Sequence, residues 1–258
     1  MASKHLLWVP YPLALLILSV VVLVLGRSIS QAQVADADEP LRTIGFGVRI
    51  QTGGIGIEGY YSHSIDSKQS WFISSALVSQ KDRNEIRVES FWGEQGGSSY
   101  IFDKINYAYS LTSLYGRAYT VSPLTAFSRL KLTAGLAIGP SLALLKPVYY
   151  EIIQPNPNGA AILRSSRYRF GPDPQSDYLT IYGEDNFMNG INSLTYIPGI
   201  CLQSHVMLNL SGDFLNLKAV QTGFRMDWYA RRLNILDVQA DRNVFFNLYV
   251  GLLVGNSW

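Results

Sequence analysis

The 258-residue chain carries a formal net charge of +2, so it offers no electrostatic basis for nucleic-acid binding. Charged residues make up 16% of it, well below the ~25% of a typical soluble domain, whereas aromatic residues are abundant, with 16 tyrosines and 11 phenylalanines. The single cysteine, Cys201, excludes an intramolecular disulfide and is predicted to pack as a small apolar residue.

Residues 1–32 have the pattern of a secretory signal peptide. The apolar run Leu13–Leu25 is too short for the ~20 residues that a helix needs to cross a hydrocarbon core. Small residues around Ala32 suit cleavage, so we expect the mature chain to begin near Gln33, with an uncleaved anchor as the alternative. We interpret residues 33–41, which are acidic and aperiodic, as a flexible periplasmic lead-in to a barrel that spans 42–258.

The first strand signal after the lead-in is a hairpin. Residues 44–52 and 55–62 both alternate between apolar and small or polar side chains. Gly53-Gly54 between them can supply the positive φ angles of a two-residue turn. The register set by that turn matches apolar residues on one face and places Arg49 directly opposite Glu58 on the other.

Arg49 and Glu58 are therefore predicted to form a charge pair inside the lumen, with Lys131, Arg225 and Asp227 as candidates to extend it. Such a pair acts either in ion selectivity or proton relay, or as an ion pair that fills and stiffens a small barrel. Eight strands leave an interior just wide enough for side chains, which favours the second interpretation.

Further segments show the period-two alternation of half-buried strands. It is long and regular in 130–144 and 200–210, where apolar side chains alternate with small or polar ones. The remaining candidates are 70–79, 107–120 and 220–228, and the terminal segment brings the count to eight.

The terminal segment, from residue 243 to 258, is the most specific of these signals. One face is uniformly apolar, the other carries Asn247, Tyr249 and two glycines, and the segment ends on an aromatic residue. In outer-membrane barrels the apolar face of a strand meets lipid and aromatic residues lie at the interface. We therefore predict a C-terminal insertion signal that consists of Phe246, Leu248, Val250, Leu252 and Trp258.

Short and long connections alternate along the chain. The short ones are 65–69, 121–128 and 211–213; the long ones are 81–106, 146–197 and 230–243. This alternation predicts an all-β, antiparallel up-and-down transmembrane β-barrel of about eight strands with long extracellular loops and periplasmic termini. A soluble lipocalin-like barrel has the same alternation with its faces reversed, and the sharing of one face by charged residues and glycine disfavours it.

No catalytic set is evident. The two histidines of the predicted mature chain stand in His63-Ser64 and Ser204-His205, but neighbours in a strand point to opposite faces. No Gly-x-Ser-x-Gly elbow occurs. Cys201 shares a face with His205 but lies ~13 Å from it along an extended strand. We expect no catalytic residue, no cofactor and no metal site.

The long connection 146–197 exceeds the usual length of a loop without a role. Its charged residues suggest a surface that contacts a partner protein or lipopolysaccharide phosphates. The alternative is a partly ordered cap over the barrel. The candidate contact residues are Arg164, Arg167, Arg169, Asp173 and Asp177.

Five blocks of sequence carry a family resemblance: Lys104–Tyr107, Gly139–Tyr150, Ile181–Gly190, Pro198-Gly199 and Phe245–Tyr249. On these blocks the chain resembles a largely uncharacterised family of small outer-membrane β-barrel proteins found across the Bacteroidota. The resemblance implies an outer-membrane location and a barrel architecture, and it carries no activity and no site residues.

The sequence thus favours a non-enzymatic accessory or structural subunit of an envelope assembly or secretion machinery. The alternatives are a narrow channel or small-molecule transporter and, less favoured, a lipid-modifying outer-membrane enzyme. The expected partners are outer-membrane lipid and lipopolysaccharide, the barrel-assembly machinery during insertion, and other outer-membrane or periplasmic proteins.

Overall fold

The computed structural model describes residues 42–66, 68–122, 130–155, 161–171, 174–210, 216–237 and 242–258. The predicted signal peptide, its cleavage site and the lead-in 33–41 lie outside the described residues. No helix within the described ranges is long and apolar enough to cross a membrane.

Eight long antiparallel strands form a closed barrel, as the alternation predicts. They are β1 (Arg42–Gln51), β2 (Gly54–Ser64), β3 (Gln69–Gln80), β6 (Asn106–Ser122), β7 (Lys131–Pro147), β11 (Thr195–Asn209), β12 (Asn216–Leu233) and β13 (Arg242–Ser257). Around the ring the order is β1-β13-β12-β11-β7-β6-β3-β2. Each barrel strand therefore pairs with the barrel strands nearest to it along the chain, and β1 closes the ring against β13.

The remaining described elements lie in the connections. They are β4 (Arg87–Val88), β5 (Tyr100–Ile101), β8 (Tyr150–Pro155), β9 (Ala161–Ser166), helix α1 (Pro174–Thr180), β10 (Ile181–Glu184) and two short 3-10 helices, Gly93–Gln95 and Ile191–Ser193. Strands β4 and β5 pair with each other, and β10, β8 and β9 form a three-stranded antiparallel sheet, here called the external sheet.

The two ends of the barrel differ as the lengths of the connections predict. Residues 65–68, 123–130 and 210–215 make short connections at one end, the short-turn end, where β1 also begins and β13 also ends. Residues 81–105, 148–194 and 234–241 make long connections at the other, the long-loop end. The β1–β2 hairpin is the exception at the long-loop end, because only Thr52 and Gly53 separate its strands.

Strand β13 shows that the apolar side of the barrel faces outward. Its outward side chains are 39–62% exposed, whereas the intervening ones are buried. The outward residues are Phe246, Leu248, Val250, Leu252 and Val254, and the inward ones are Phe245, Asn247, Tyr249, Gly251 and Leu253. This is the predicted distribution of faces, and it is the reverse of that in a soluble lipocalin-like barrel.

The predicted register of the first hairpin is wrong by two residues. Gln51 pairs with Gly54, so the turn is Thr52-Gly53 and Arg49 lies opposite Gly56. Gly54 belongs to β2 with φ +152°, and a Cβ there would lie 2.3 Å from the Ser79 carbonyl oxygen of β3. The close approach of β3 therefore requires a glycine at this position. The sequence does not show that contact. Since strand side chains alternate with period two, the shift leaves every residue on its predicted face.

The connections at the long-loop end build a hydrophobic core of their own. It joins β5 and the external sheet with the segment that follows β9, and aromatic rings dominate it. The buried members are Tyr100, Val148, Tyr150, Ile152, Phe170 and Ile181. Within the described residues, 148–194 therefore include a sheet, a helix and a packed core of their own.

Candidate functional site

The lumen is crossed by a first polar cluster around Arg49. Its guanidinium is bidentate to Glu58, with Nε to Oε2 at 3.0 Å and Nη2 to Oε1 at 2.5 Å, and both side chains are fully buried. Arg49 also donates to Gln203 Oε1 at 2.8 Å and stacks 4.0 Å above the Tyr249 ring. Ser74 donates to Glu58 at 2.6 Å. The predicted pair thus forms, although diagonally, since Glu58 lies opposite Gly47.

A second polar cluster lies nearer the long-loop end, around Arg225 and Asp227 of β12. These two residues share a face of one strand, and their ion pair is bidentate at 2.7 and 2.8 Å. Arg225 also donates to Ser110 at 2.6 Å, and Ser141 donates to Asp227 at 3.1 Å. Tyr229 donates to Ser110 at 2.8 Å.

All eight barrel strands supply a buried side chain to these two clusters. The contributors are Arg49 (β1), Glu58 (β2), Ser74 (β3), Ser110 (β6), Ser141 (β7), Gln203 (β11), Arg225 and Asp227 (β12), and Tyr249 (β13). Removing one partner of a buried ion pair is strongly destabilising, because it leaves an uncompensated charge. The clusters therefore link all eight barrel strands to one another across the lumen.

Apolar layers lie on both sides of the polar clusters. Toward the short-turn end the layer includes Tyr60, Phe72 and Leu217. Toward the long-loop end, Leu233 and Leu236 pack into the mouth of the lumen with other buried apolar residues. Buried side chains thus cross the interior at several levels, as expected of a barrel of this size.

Lys131 lies apart from both clusters. It lines a polar cup of about 70 Å³ at the short-turn end, together with Asp66 and several hydroxyl and amide side chains. Of the three residues predicted to extend the Arg49–Glu58 pair, two build a separate ion pair and the third lines the cup at the short-turn end.

The residues considered for catalysis or metal binding stay apart. His205 is buried with its ring in an edge-to-face contact with Phe72, at 4.8 Å between ring centroids, and Cys201 is buried with a free thiol. Ser204 is on the opposite face of β11, and His63 packs against Trp71. In the part of the chain that the structure describes, no three His, Cys, Asp or Glu side chains gather as metal ligands.

The predicted contact surface on 146–197 is only partly present. Arg164, Arg167 and Arg169 are exposed, and Asp173 lies outside the described residues. Asp177 is buried, and its carboxylate accepts hydrogen bonds from the Tyr168 hydroxyl at 2.6 Å and the Gly171 amide at 3.0 Å. Its inclusion in the surface was wrong, because Asp177 anchors the segment that follows β9.

Sequence reasoning missed the network that binds the connections together at the mouth. Lys104 makes a buried ion pair with Glu85 at 2.9 Å and lies 4.3 Å above the Tyr107 ring, whose hydroxyl donates to Glu184. Tyr150 donates to the Lys104 carbonyl at 2.6 Å. Burial lowers the pKa of Lys104, and Glu85 opposes that shift. Tyr107 lies in the Lys104–Tyr107 block of the family resemblance and Glu184 lies in the Ile181–Gly190 block. These two blocks were the signal in the sequence that could have pointed to the network.

No protein-family model matches the chain, and no curated protein does. Among solved structures it aligns with Ail, the attachment invasion locus protein of Yersinia pestis, solved with the heparin analogue sucrose octasulfate. That alignment has 8% identity and a TM-score of 0.38, and it covers 84% of this chain and 97% of Ail. Neisserial surface protein A aligns with 7% identity and a TM-score of 0.38, over 84% of this chain and 95% of that protein. Likenesses this distant carry no argument, so the fold rests on the strand pairing, and the Bacteroidota resemblance stays a prediction.

Proposed function

We propose that this chain is an integral outer-membrane β-barrel with its short-turn end in the periplasm. The outward face of β13 from Phe246 to Val254 rises about 20 Å at ~3.4 Å per residue and a tilt of ~40°, close to the ~25 Å apolar band of such barrels. Exposed aromatic residues border the band on both sides. Tyr115, Tyr119 and Trp258 lie toward the short-turn end, and Tyr196 and Trp228 toward the long-loop end.

Within that membrane we propose a non-enzymatic accessory or structural role in an envelope assembly or secretion machinery. The observation that carries this proposal is the filled lumen, to which all eight strands contribute buried polar groups. A barrel filled in this way supports the structures at its mouth and leaves little room for transport. The external sheet and the segment that follows β9, with exposed Arg164, Arg167 and Arg169, form the surface we propose for partner proteins.

A detergent pull-down of the full-length protein, followed by native mass spectrometry, tests this role. We expect a defined partner to co-purify with the wild type and to be lost from the variant R164Q/R167Q/R169Q. The matched control is K81Q/R83Q/R242Q, which removes three exposed cations elsewhere at the long-loop end. Recovery of the wild type only as a lone monomer would contradict the accessory role.

A further inference from the structure

The short β1–β2 hairpin leaves a notch in the rim of the barrel at its long-loop end. Its neighbour β13 extends beyond it, because Gln51 pairs with Tyr249 and β13 begins seven residues earlier at Arg242. On the other side β3 ends level with the turn at Gln80, and the Lys81 amide, just beyond that end, donates to the Gly53 carbonyl at 2.7 Å. The resulting gap, here called the rim notch, encloses about 160 Å³.

The floor of the rim notch separates it from the lumen. Asn247 donates to Gln80 Oε1 at 3.1 Å, and Gln51 donates to the same oxygen at 3.3 Å. The Thr52 hydroxyl donates to Asn247 Oδ1 at 3.1 Å. These amide contacts span β1, β3 and β13 beneath the turn, so a ligand must enter the notch from outside the barrel.

The charged side chains of the rim notch are mainly cationic. Lys81, Arg83 and Arg242 all line it and are exposed, and no ion pair links any of them to a described carboxylate. Asp82 is the one described acidic residue in the lining, and its Oδ1 accepts a hydrogen bond from the Asn84 amide at 2.9 Å. Among the described lining residues, the notch therefore offers three cations and one carboxylate to an anion.

The lower lining of the rim notch is apolar and continuous with the lipid-facing band. Phe246, the uppermost residue of the outward row on β13, lines it together with Val244. Arg242 follows two residues beyond Val244, which places its charge just above the band, at the level of lipid headgroups. A ligand that fits this gradient carries phosphate at its head and hydrocarbon below it.

We propose that the rim notch binds the phosphomonoester headgroup of an outer-leaflet lipid, with the phosphate against Lys81, Arg83 and Arg242 and an acyl chain against Phe246. The inference rests on the proposed membrane location. A lipid is favoured over free phosphate because the apolar lining continues without a break into the band. The occupant we assign is the lipid A moiety of lipopolysaccharide, whose phosphates and multiple acyl chains match both parts of the lining.

Native mass spectrometry of the full-length protein in detergent tests this assignment, with diphosphoryl lipid A as the probe. We expect K81Q/R83Q/R242Q to bind lipid A about tenfold more weakly than the wild type, since each cation near a lipid surface contributes appreciably. The matched control R164Q/R167Q/R169Q, which removes three exposed cations from β9 and the segment after it, should bind as the wild type does. Lipid A treated with phosphatase should bind all three proteins equally weakly.

Heat-modifiable migration and incorporation into vesicles are measured on the same samples. A barrel that fails to enter membranes would contradict the proposed function. A barrel that folds and enters membranes but does not discriminate lipids would contradict only the rim-notch assignment. Equal binding by the wild type and K81Q/R83Q/R242Q would overturn the rim-notch assignment, and so would equal losses in both triple variants. Competition by inorganic phosphate alone at concentrations similar to those of the lipid would assign the notch to a free anion and would also overturn it.

Discussion

At the scale of single residues, the interior of this barrel depends on buried ion pairs. The two members of each pair stabilise the fold only when both are present. Arg49 and Glu58 share two short hydrogen bonds in a fully buried setting. Their attraction there offsets the cost of removing both groups from water, and neither group has that compensation alone.

The first prediction follows from this dependence. Glu58→Gln should leave the Arg49 guanidinium buried without its counter-charge and lower the free energy of unfolding by ~3 kcal/mol or more. The double variant Arg49→Met/Glu58→Met should lose less, because it buries no unpaired charge. Urea titration of the protein folded in lipid vesicles measures both values. Equal losses in the single and double variants would show that the pair is not coupled.

The second prediction concerns Tyr168, whose hydroxyl donates to buried Asp177. Burial, reinforced by Asp177, raises the pKa of Tyr168 to about 12 from its ordinary 10.0. The raised pKa favours the protonated phenol in the folded state, so its contribution to stability is complete below pH 10 and disappears as the pH rises toward 12. We expect protease resistance of residues 148–194 to fall over that range in the wild type. Tyr168→Phe should show a smaller pH-dependent fall, and an identical profile for both proteins would contradict the assignment.

At the scale of elements, strands were the predictable part of this fold. The alternation in 130–144, 200–210 and 243–258 identifies the outward face correctly, because lipid or solvent on one side and a filled lumen on the other act on every second residue. The register of the first hairpin was not accessible, since it depends on the contact between Gly54 and β3. The external sheet was missed for a similar reason. Its core depends on contacts between distant connections, such as that between Tyr100 and Tyr150.

The third prediction tests the outward face of β13. Leu248→Asp places a charge near the middle of the apolar band, which lowers the stability of the inserted barrel and should block insertion. Leu248→Val keeps the face apolar and is the matched control. Asn247→Ser, on the opposite face, should still insert. Deletion of Trp258 removes the aromatic residue of the predicted insertion signal and should also block insertion. Heat-modifiable migration of the outer-membrane fraction reports folding, and normal migration of the Leu248→Asp protein would contradict the lipid-facing assignment.

At the scale of the whole molecule, buried side chains cross the lumen in successive layers between the two ends of the barrel. Apolar layers around Tyr60 and Leu233 lie on either side of the two polar clusters. Of the contacts within these layers, the sequence predicted the Arg49–Glu58 pair. The sequence did not place Ser110 and Ser141 with Arg225, because small polar residues alternate in many strands without forming clusters.

The fourth prediction concerns conduction. Because two polar clusters and two apolar layers of buried side chains cross the lumen, the purified protein should produce no discrete conductance steps in a planar bilayer. An eight-stranded barrel with known channel activity, reconstituted by the same procedure, is the positive control. Reproducible single-channel steps from the wild-type protein would revive the channel interpretation.

The closure of the ring between β1 and β13 has a consequence for biosynthesis. Arg42 and Trp258 exchange two backbone hydrogen bonds of 2.9 Å, and nine residue pairs join their strands. A chain truncated before Arg242 would leave the edges of β1 and β12 open, each with a row of unpaired backbone groups. A bilayer core cannot satisfy such groups. The topology therefore couples closure of the barrel to completion of β13, because the barrel edges of β1 and β12 are paired only in a chain that includes β13.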